Sequence, residues 1–309
     1  MTQRNALVGK TTWKRDLTMN WSVYLLFLPV FIYFIVFNYL PMFGITMAFQ
    51  DFKATKGFFA SEFIGLANFR AFFTNPDFGN VLRNTLAISL LGLCVAFPLT
   101  IVFALQLNEI MQERFKKIVQ TISYMPYFVS AVVLCGLIIE FVSSNGIITN
   151  MLSVFGLDKQ NLLQNPKYFW WICLFSDIWQ GLGYGSIVFI AAISGVSNEL
   201  HEAACIDGAN RLQRVFHVTL PALLPTIVTM LVLRVGLLMT VGFDKILLLY
   251  NPSIYETADV ISTHVARMGL ERMQYGYSAA VGLFNSIVAT ALLLVSNYLS
   301  RKLTETSVF

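Results

Sequence analysis

Apolar residues run through this chain in six long blocks, separated by polar stretches that carry most of the charge. The blocks fall at about 21–40, 81–107, 121–143, 168–196, 221–249 and 277–299. Each is long enough for an α-helix to cross a hydrocarbon layer of about 30 Å. Inside such a layer the backbone must satisfy its own hydrogen bonds, which leaves the helix as the local structure. The pattern predicts an all-α polytopic membrane protein with six transmembrane helices. A polar N-terminal segment (1–20) precedes the six-span region (21–300), and a short tail (301–309) follows it. The first block is too long for a signal-peptide core and has no small-residue cleavage pattern, so it is expected to remain as an anchor.

The polar stretches are uneven. Residues 41–80 are mixed, and Phe69 to Phe73 form an expected short helix on the membrane surface. Residues 108–120 are a short charged loop, 144–167 a polar loop, and 250–275 a longer loop expected to be partly helical. The most distinctive polar stretch is 196–225. Asn198 is placed to cap a helix there, and Glu199 and Glu202 put negative charge in its first turn, where the helix dipole favours it. That helix should run to about Asp207 and stop at Gly208, which supplies the left-handed residue. Asn210 then caps a second short helix, expected to end before Pro221.

Composition agrees with the pattern. The chain is 56% hydrophobic and 12% charged, with a mean hydropathy of +0.66; a soluble domain averages about 25% charged residues. The distribution of basic residues matters more than the net charge of +4. With six spans, eleven Lys and Arg fall on the side of residue 1 and eight on the other. The excess predicts that both termini and the 196–225 stretch are cytoplasmic. No basic run with interleaved aromatics points to nucleic acid. The four cysteines do not pair by spacing and are expected to be buried, inert thiols.

The run Glu202-Ala203-Ala204-x-x-Asp207-Gly208-Ala209, followed by Phe216, Leu220-Pro221 and Pro225, resembles the EAA loop of the permease subunits of ATP-binding-cassette (ABC) importers. The 63–73 segment resembles the outward segment after the first helix in carbohydrate-type permeases, and 41–52 (Pro-Met-Phe-Gly-Ile-Thr-Met-Ala-Phe-Gln-Asp-Phe) the subgroup handling oligosaccharides or polysaccharide fragments. The resemblance implies a bacterial cytoplasmic-membrane permease that moves a sugar inward by alternating access. Its implied partners are a second related permease, two ATPase subunits, an external solute-binding protein and the membrane lipid. No cofactor is implied on this chain: ATP and magnesium belong to the ATPase subunits, and the chain is not itself an enzyme. Glu202, Ala203, Ala204, Asp207, Gly208 and Ala209 would form the knob that docks into a groove on the ATPase.

Ionisable residues inside the apolar blocks are few: Glu140, Asp177 and Arg234, with Asp244 and Lys245 toward the end of the fifth. Such residues face a pathway or a buried partner. Asp177, Gly181 and Tyr184 fall on one helical face, with Trp179 and Gln180 beside them. In the maltose-type permeases this helix lines the central cavity, and the resemblance makes this face the lining one. Its glycines could equally serve close helix packing. Arg234, Leu238, Val241 and Gly242 would share a face in the fifth block, where Arg234 either meets an acidic sugar or pairs with Asp177. Asn285 and Ser286 offer polar groups to the path or to a neighbouring helix.

Two motif fragments lack their context. Gly9-Lys10-Thr11 has Arg4 where a phosphate loop needs its first glycine, and no strand before it. His201 and Cys205 share the spacing of a zinc helix but have no third ligand nearby. An ion-gradient-driven secondary transporter is the alternative function. It predicts internal repeats and helices broken near the membrane midplane, and no repeat is visible. A membrane-embedded enzyme would need clustered His, Cys or carboxylates, and the chain has three histidines.

Overall fold

The structure is a computed structural model that describes residues 13–156 and 158–304. Arg4, Lys10 and the end of the tail lie outside the described residues. Four helices are long and apolar enough to cross a membrane: Trp21–Phe49, Phe78–Asn108, Arg211–Gly236 and Tyr275–Lys302. Two bent pairs, Glu113–Phe128 with Ala131–Phe141 and Pro166–Ser194 with Asn198–Ile206, raise the number to six if each is one span. Strand structure among the described residues is a two-residue antiparallel ladder, Gln50–Asp51 against Glu62–Phe63. The all-α polytopic architecture stands, with boundaries longer than the apolar blocks. The last helix, for instance, runs through Thr304 into the stretch read as tail.

Three of the wide π turns have a common cause. Ile35–Tyr39, Gly92–Ala96 and Val215–Thr219 end two residues before Pro41, Pro98 and Pro221 respectively. A proline ring cannot donate and collides with the carbonyl four residues earlier, here that of Phe37, Cys94 or His217. Opening the turn around that carbonyl keeps the helix continuous. The second short helix therefore does not end before Pro221, as expected from sequence: it continues from Arg211 into the fifth span.

Two of the apolar blocks, the third and the fifth, are broken. The third bends by 97° between Phe128 and Ala131. Pro126 starts the break, Val129 is extended, and Ser130 caps the next helix by accepting from the Val133 N–H at 3.4 Å. The fifth stops at Gly236 and resumes as Phe243–Leu249. Arg234, Leu238, Val241 and Gly242 therefore do not form one helical face. The polar loop 144–167 contains a further helix, Ile147–Val154. The helix expected around Phe69 is present as Ala67–Phe73, packed on the last span.

Burial follows three clusters. One, around Phe169, Cys173, Ile246 and Ile254, joins the fourth span to the segment after the fifth. A second, around Phe72, Met239 and Tyr277, joins Ala67–Phe73 to the last span. A third, with Phe97, Phe189 and Leu223, packs the second, fourth and fifth spans near the 198–206 end. The cysteine expectation holds for Cys135 and Cys173, which are buried. Cys94 and Cys205 are exposed, and all four are free.

The glycines of the fourth span divide by role. A Cβ on Gly183 would lie 2.0 Å from the Ser123 carbonyl oxygen and one on Gly185 3.2 Å from a Thr100 methyl, whereas at Gly181 nothing lies within 4 Å. Close packing thus explains Gly183 and Gly185 but not Gly181. Gly183→Ala should destabilise the protein by about 1–3 kcal/mol through overpacking, while Gly181→Ala should stay within about 0.5 kcal/mol. Thermal midpoints of the detergent-solubilised variants check this ranking, and equal midpoints would refute it.

Candidate functional site

The polar knob is closed at both ends by its own groups. Ser197, one residue before the expected cap Asn198, accepts from the Glu199 N–H at 3.2 Å, and Asn198 is the first helical residue. Ser197 has the extended backbone (φ −62°, ψ 131°) that turns a side chain back over the first turn. At the other end the Ala209 N–H donates to the Ala204 carbonyl at 2.9 Å and the Gly208 N–H to the Cys205 carbonyl at 3.1 Å. Gly208 has φ +81°. This is the paired bonding of a glycine-terminated helix. Asn210 and Gln213 then bond each other's backbone N–H groups at 2.9 and 2.8 Å, a reciprocal cap on the next helix.

The knob helix leaves the fourth span at 73° and has no buried residue. Glu202, Ala203, Asp207 and Gly208 are exposed, and Ala204 and Ala209 are half-buried. Apolar side chains are exposed beside them: Ile206 is 86% and Phe216 60% accessible, a surface suited to a partner. A recess of about 400 Å³ lies between Glu202, His201, Cys205 and Arg214. Arg214 donates to the Cys205 sulfur at 3.0 Å, and Arg211 to the Met111 sulfur at 3.5 Å, tying the knob to the loop before the third span.

The second set of candidates gathers where the two broken spans meet the fourth. Asp177 is ion-paired with Lys245 on the short helix after the fifth span. Its expected partner Arg234 is exposed and is not that partner. The Lys245 ammonium also donates to the Ser176 hydroxyl at 3.0 Å and the Cys173 carbonyl at 3.3 Å. The lysine side chain is 10% accessible and the aspartate 46%, so the cation is sunk and the carboxylate faces out. One turn along, the Gln180 amide donates to the Val129 carbonyl at 3.1 Å, satisfying a group freed by the break in the third span. Tyr184 stacks on Tyr127, with ring centroids 3.8 Å apart and planes 6° from parallel. Ser89 donates to the Leu238 carbonyl at 2.5 Å, doing for the fifth span what Gln180 does for the third.

Asp177, Gln180, Gly181 and Tyr184 thus share a neighbourhood. Trp179 points elsewhere, into an apolar groove of about 870 Å³ lined by Leu134, Phe141, Trp171 and Phe175. Asn285 is half-buried and its Oδ1 has no hydrogen-bond partner, while Ser286 bonds its own helix at Gly282. Sequence reasoning missed Lys245 as the partner of Asp177, and Tyr127. A lysine inside an apolar block was the visible signal. Among the described residues, no group of three or more His, Cys, Asp and Glu could hold a metal ion.

A third cluster, in the loop before the last span, was not anticipated. Asp259 and Arg267 form a doubly hydrogen-bonded ion pair, at 4% and 10% side-chain accessibility. Thr263 donates to Asp259 at 2.8 Å, and His264 lies 3.5 Å from it and 3.0 Å from the Tyr277 hydroxyl. Asn84 donates to the Asp259 and Glu256 carbonyls at 2.9 and 3.0 Å, and Trp170 to the Thr257 carbonyl at 2.8 Å. The loop is thereby sewn to the second, fourth and last spans. Burial opposes ionisation of Asp259, but hydrogen bonds from His264 and Arg267 and the guanidinium charge outweigh it and hold its carboxyl below the usual range. Its stabilising effect is complete above the ordinary carboxylate pKa and is lost as pH falls through the depressed native value.

A bundle of apolar helices, two of them broken beside a half-open ion pair, with an exposed capped knob between the fourth and fifth spans, defines an integral-membrane transport subunit. Residues 96–305 match the family described as "Binding-protein-dependent transport system inner membrane component", and the chain belongs to that family. It is 37% identical over 299 residues to protein LplB of Bacillus subtilis (strain 168), covering 96% of this chain and 94% of that one. It is 39% identical over 288 residues to the polygalacturonan/rhamnogalacturonan transport system permease protein YteP of the same organism, covering 93% and 90%. Among solved structures, a bacterial ABC transporter involved in the import of the acidic polysaccharide alginate superposes with a TM-score of 0.87 at 42% identity, covering 94% of this chain and 99% of that one. The bacterial alginate ABC transporter in complex with an alginate pentasaccharide-bound periplasmic protein gives 0.87 at 41% identity, covering 96% and 99%. The chain is a multi-pass permease subunit of an ABC importer and not an enzyme. The ion-gradient alternative is thereby excluded.

Arg267→Met should strand the Asp259 charge and cost about 3–5 kcal/mol, the range for breaking a buried pair. Arg267→Met combined with Asp259→Asn should cost less than the single change, because no bare charge remains. Thermal unfolding of the solubilised protein at neutral pH measures both, and a double variant no better than the single one would contradict the assignment.

Proposed function

We propose that this chain is one of a pair of related permease subunits that carry an oligosaccharide or polysaccharide fragment into the cytoplasm by alternating access. An external solute-binding protein delivers the sugar, and two ATPase subunits, which hold ATP and magnesium, drive the cycle. Both termini and the 198–209 knob face the cytoplasm, in keeping with the bias of basic residues. The similarity to relatives named for polygalacturonan/rhamnogalacturonan and alginate supports the sugar reading.

The observation that carries the coupling role is the construction of the knob. Ser197, Gly208 and Asn210 fix its helix at both ends with local bonds, and none of its residues is buried within this chain. A rigid exposed helix joined to the fourth span at a fixed angle transmits displacement in both directions. Ala203 and Ala204 add little bulk, so a partner groove can close on the backbone. Glu202 then sits in a largely desolvated contact, where a basic partner group counts for more than on a free surface.

In the membrane, Asp177, Gln180, Gly181 and Tyr184 line the sugar's path. Asp177 accepts from sugar hydroxyls, Tyr184 offers a ring face, and Gly181 leaves room. Arg234, Leu238 and Asn285 are further candidates on the spans that flank the path, and Trp179 belongs to its apolar margin.

Gly208→Val places a β-branched residue at a positive φ and should misplace the knob with all spans still inserted. Glu202→Lys should weaken the same contact by charge reversal. Each should lower ATPase copurification or sugar-stimulated hydrolysis by about tenfold or more at matched expression. Wild-type copurification and stimulation in both variants would remove the coupling role. Normal sugar uptake in Asp177→Asn and in Tyr184→Ala would remove the path assignment.

A further inference from the structure

Lys245 is a buried cation set behind the proposed path, and the proposed transport cycle assigns it no part. It lies on the short helix Phe243–Leu249, whose backbone is fastened to the third span: the Cys135 thiol approaches the Lys245 carbonyl at 3.7 Å. Its ammonium reaches across to the fourth span, to the Cys173 carbonyl, the Ser176 hydroxyl and the Asp177 carboxylate. Two of these partners are neutral. Only Asp177 is charged, and it is the partner that stands half in the open. Asp244 and Arg234, the other ionisable residues of this region, are exposed and form no ion pair among the described residues.

The asymmetry has a chemical consequence. A bare carboxylate in the path would repel any sugar carrying carboxylates of its own, and the repulsion would be strong where water is scarce. Replacing it by an apolar residue would remove the acceptor that sugar hydroxyls need. A sunk ammonium behind the carboxylate resolves the conflict. The acceptor oxygens remain, while the pair as a whole is neutral toward an incoming anion.

We infer that Lys245 is a specificity-determining residue that makes the path tolerant of acidic oligosaccharides by cancelling the charge of Asp177. The inference rests on the proposed path through Asp177 and adds the charge class of the sugar. Lys245 itself does not touch the sugar. It acts through Asp177.

The test measures the ratio of acidic to neutral sugar uptake, using an alginate tetrasaccharide and a neutral tetrasaccharide, in vesicles holding the complete importer. Lys245→Met should lower the acidic-to-neutral ratio by about tenfold, because Asp177 is left uncompensated. Asp177→Asn should raise the ratio, because the buried ammonium is then unmatched. The double variant, neutral again, should return the ratio to near the wild-type value, which also serves if Lys245→Met alone fails to assemble. Equal loss of both sugars in a Lys245→Met importer that assembles at the wild-type level, or an acidic-to-neutral ratio in the double variant about tenfold below wild type, overturns the inference and leaves the path reading standing. No change in either sugar's uptake in Asp177→Asn overturns the path reading and the inference with it. A wild-type importer that does not take up the acidic probe overturns the inference directly.

Discussion

An apolar phase offers no hydrogen bonds, so every N–H and C=O that leaves a helical ladder must find a partner within the protein. That constraint explains where this chain can depart from straight helices. The third span breaks where the Gln180 amide donates to the Val129 carbonyl, and the fifth where the Ser89 hydroxyl donates to that of Leu238. Both donors stand on unbroken helices, the second and fourth spans, which thereby hold the ends of the broken ones in place. Prolines raise the same demand within a helix, and the wide turns before Pro41, Pro98 and Pro221 meet it without a break.

Charge obeys a related rule. The Asp259–Arg267 and Asp177–Lys245 pairs differ in what they leave over. Around Asp259, the Arg267, Thr263 and His264 side chains take up the carboxylate's acceptor sites, and the pair serves to fix one loop against three spans. Around Asp177 the cation is enclosed and the carboxylate is not. A fully enclosed pair is an element of structure, whereas a half-open one presents chemistry to whatever passes. The apolar groove beside Trp179 adds a contrasting wall, rich in aromatic rings and nearly free of polar atoms.

Local signals in the sequence proved legible, and distant pairings did not. The knob was readable because each device in it spans a few residues: Gly208 as the left-handed stop and Asn210 as a cap were found, and the first cap was misplaced by one residue, from Ser197 to Asn198, because both side chains are good caps. The common face of Asp177, Gly181 and Tyr184 followed from helical spacing. The break in the fifth span was hidden because residues 237–242 are as apolar as a helix would be, and only their tertiary contacts reveal the interruption. Pro126 marked the break in the third span without showing that the helix would turn by nearly a right angle. The partner of Asp177 could not be read either: Arg234 was the expected one, and the place is taken by Lys245, on the short helix that follows the break after Gly236.

The wide turns before the prolines also bear on how such chains change over evolutionary time. A π turn holds one residue more than the α-helical turn it replaces, and one residue corresponds to a rotation of about 100°. Deleting a single residue within Gly92–Ala96 would let the ladder close as an ordinary α-helix, yet it would swing one half of the second span around its axis relative to the other. The two halves of such a span are therefore aimed separately, one toward Asp259 through Asn84 and the other toward the fourth span through Thr100. Single-residue insertions and deletions, ordinarily confined to loops, have a site within the membrane at which the helix persists and only its facing changes.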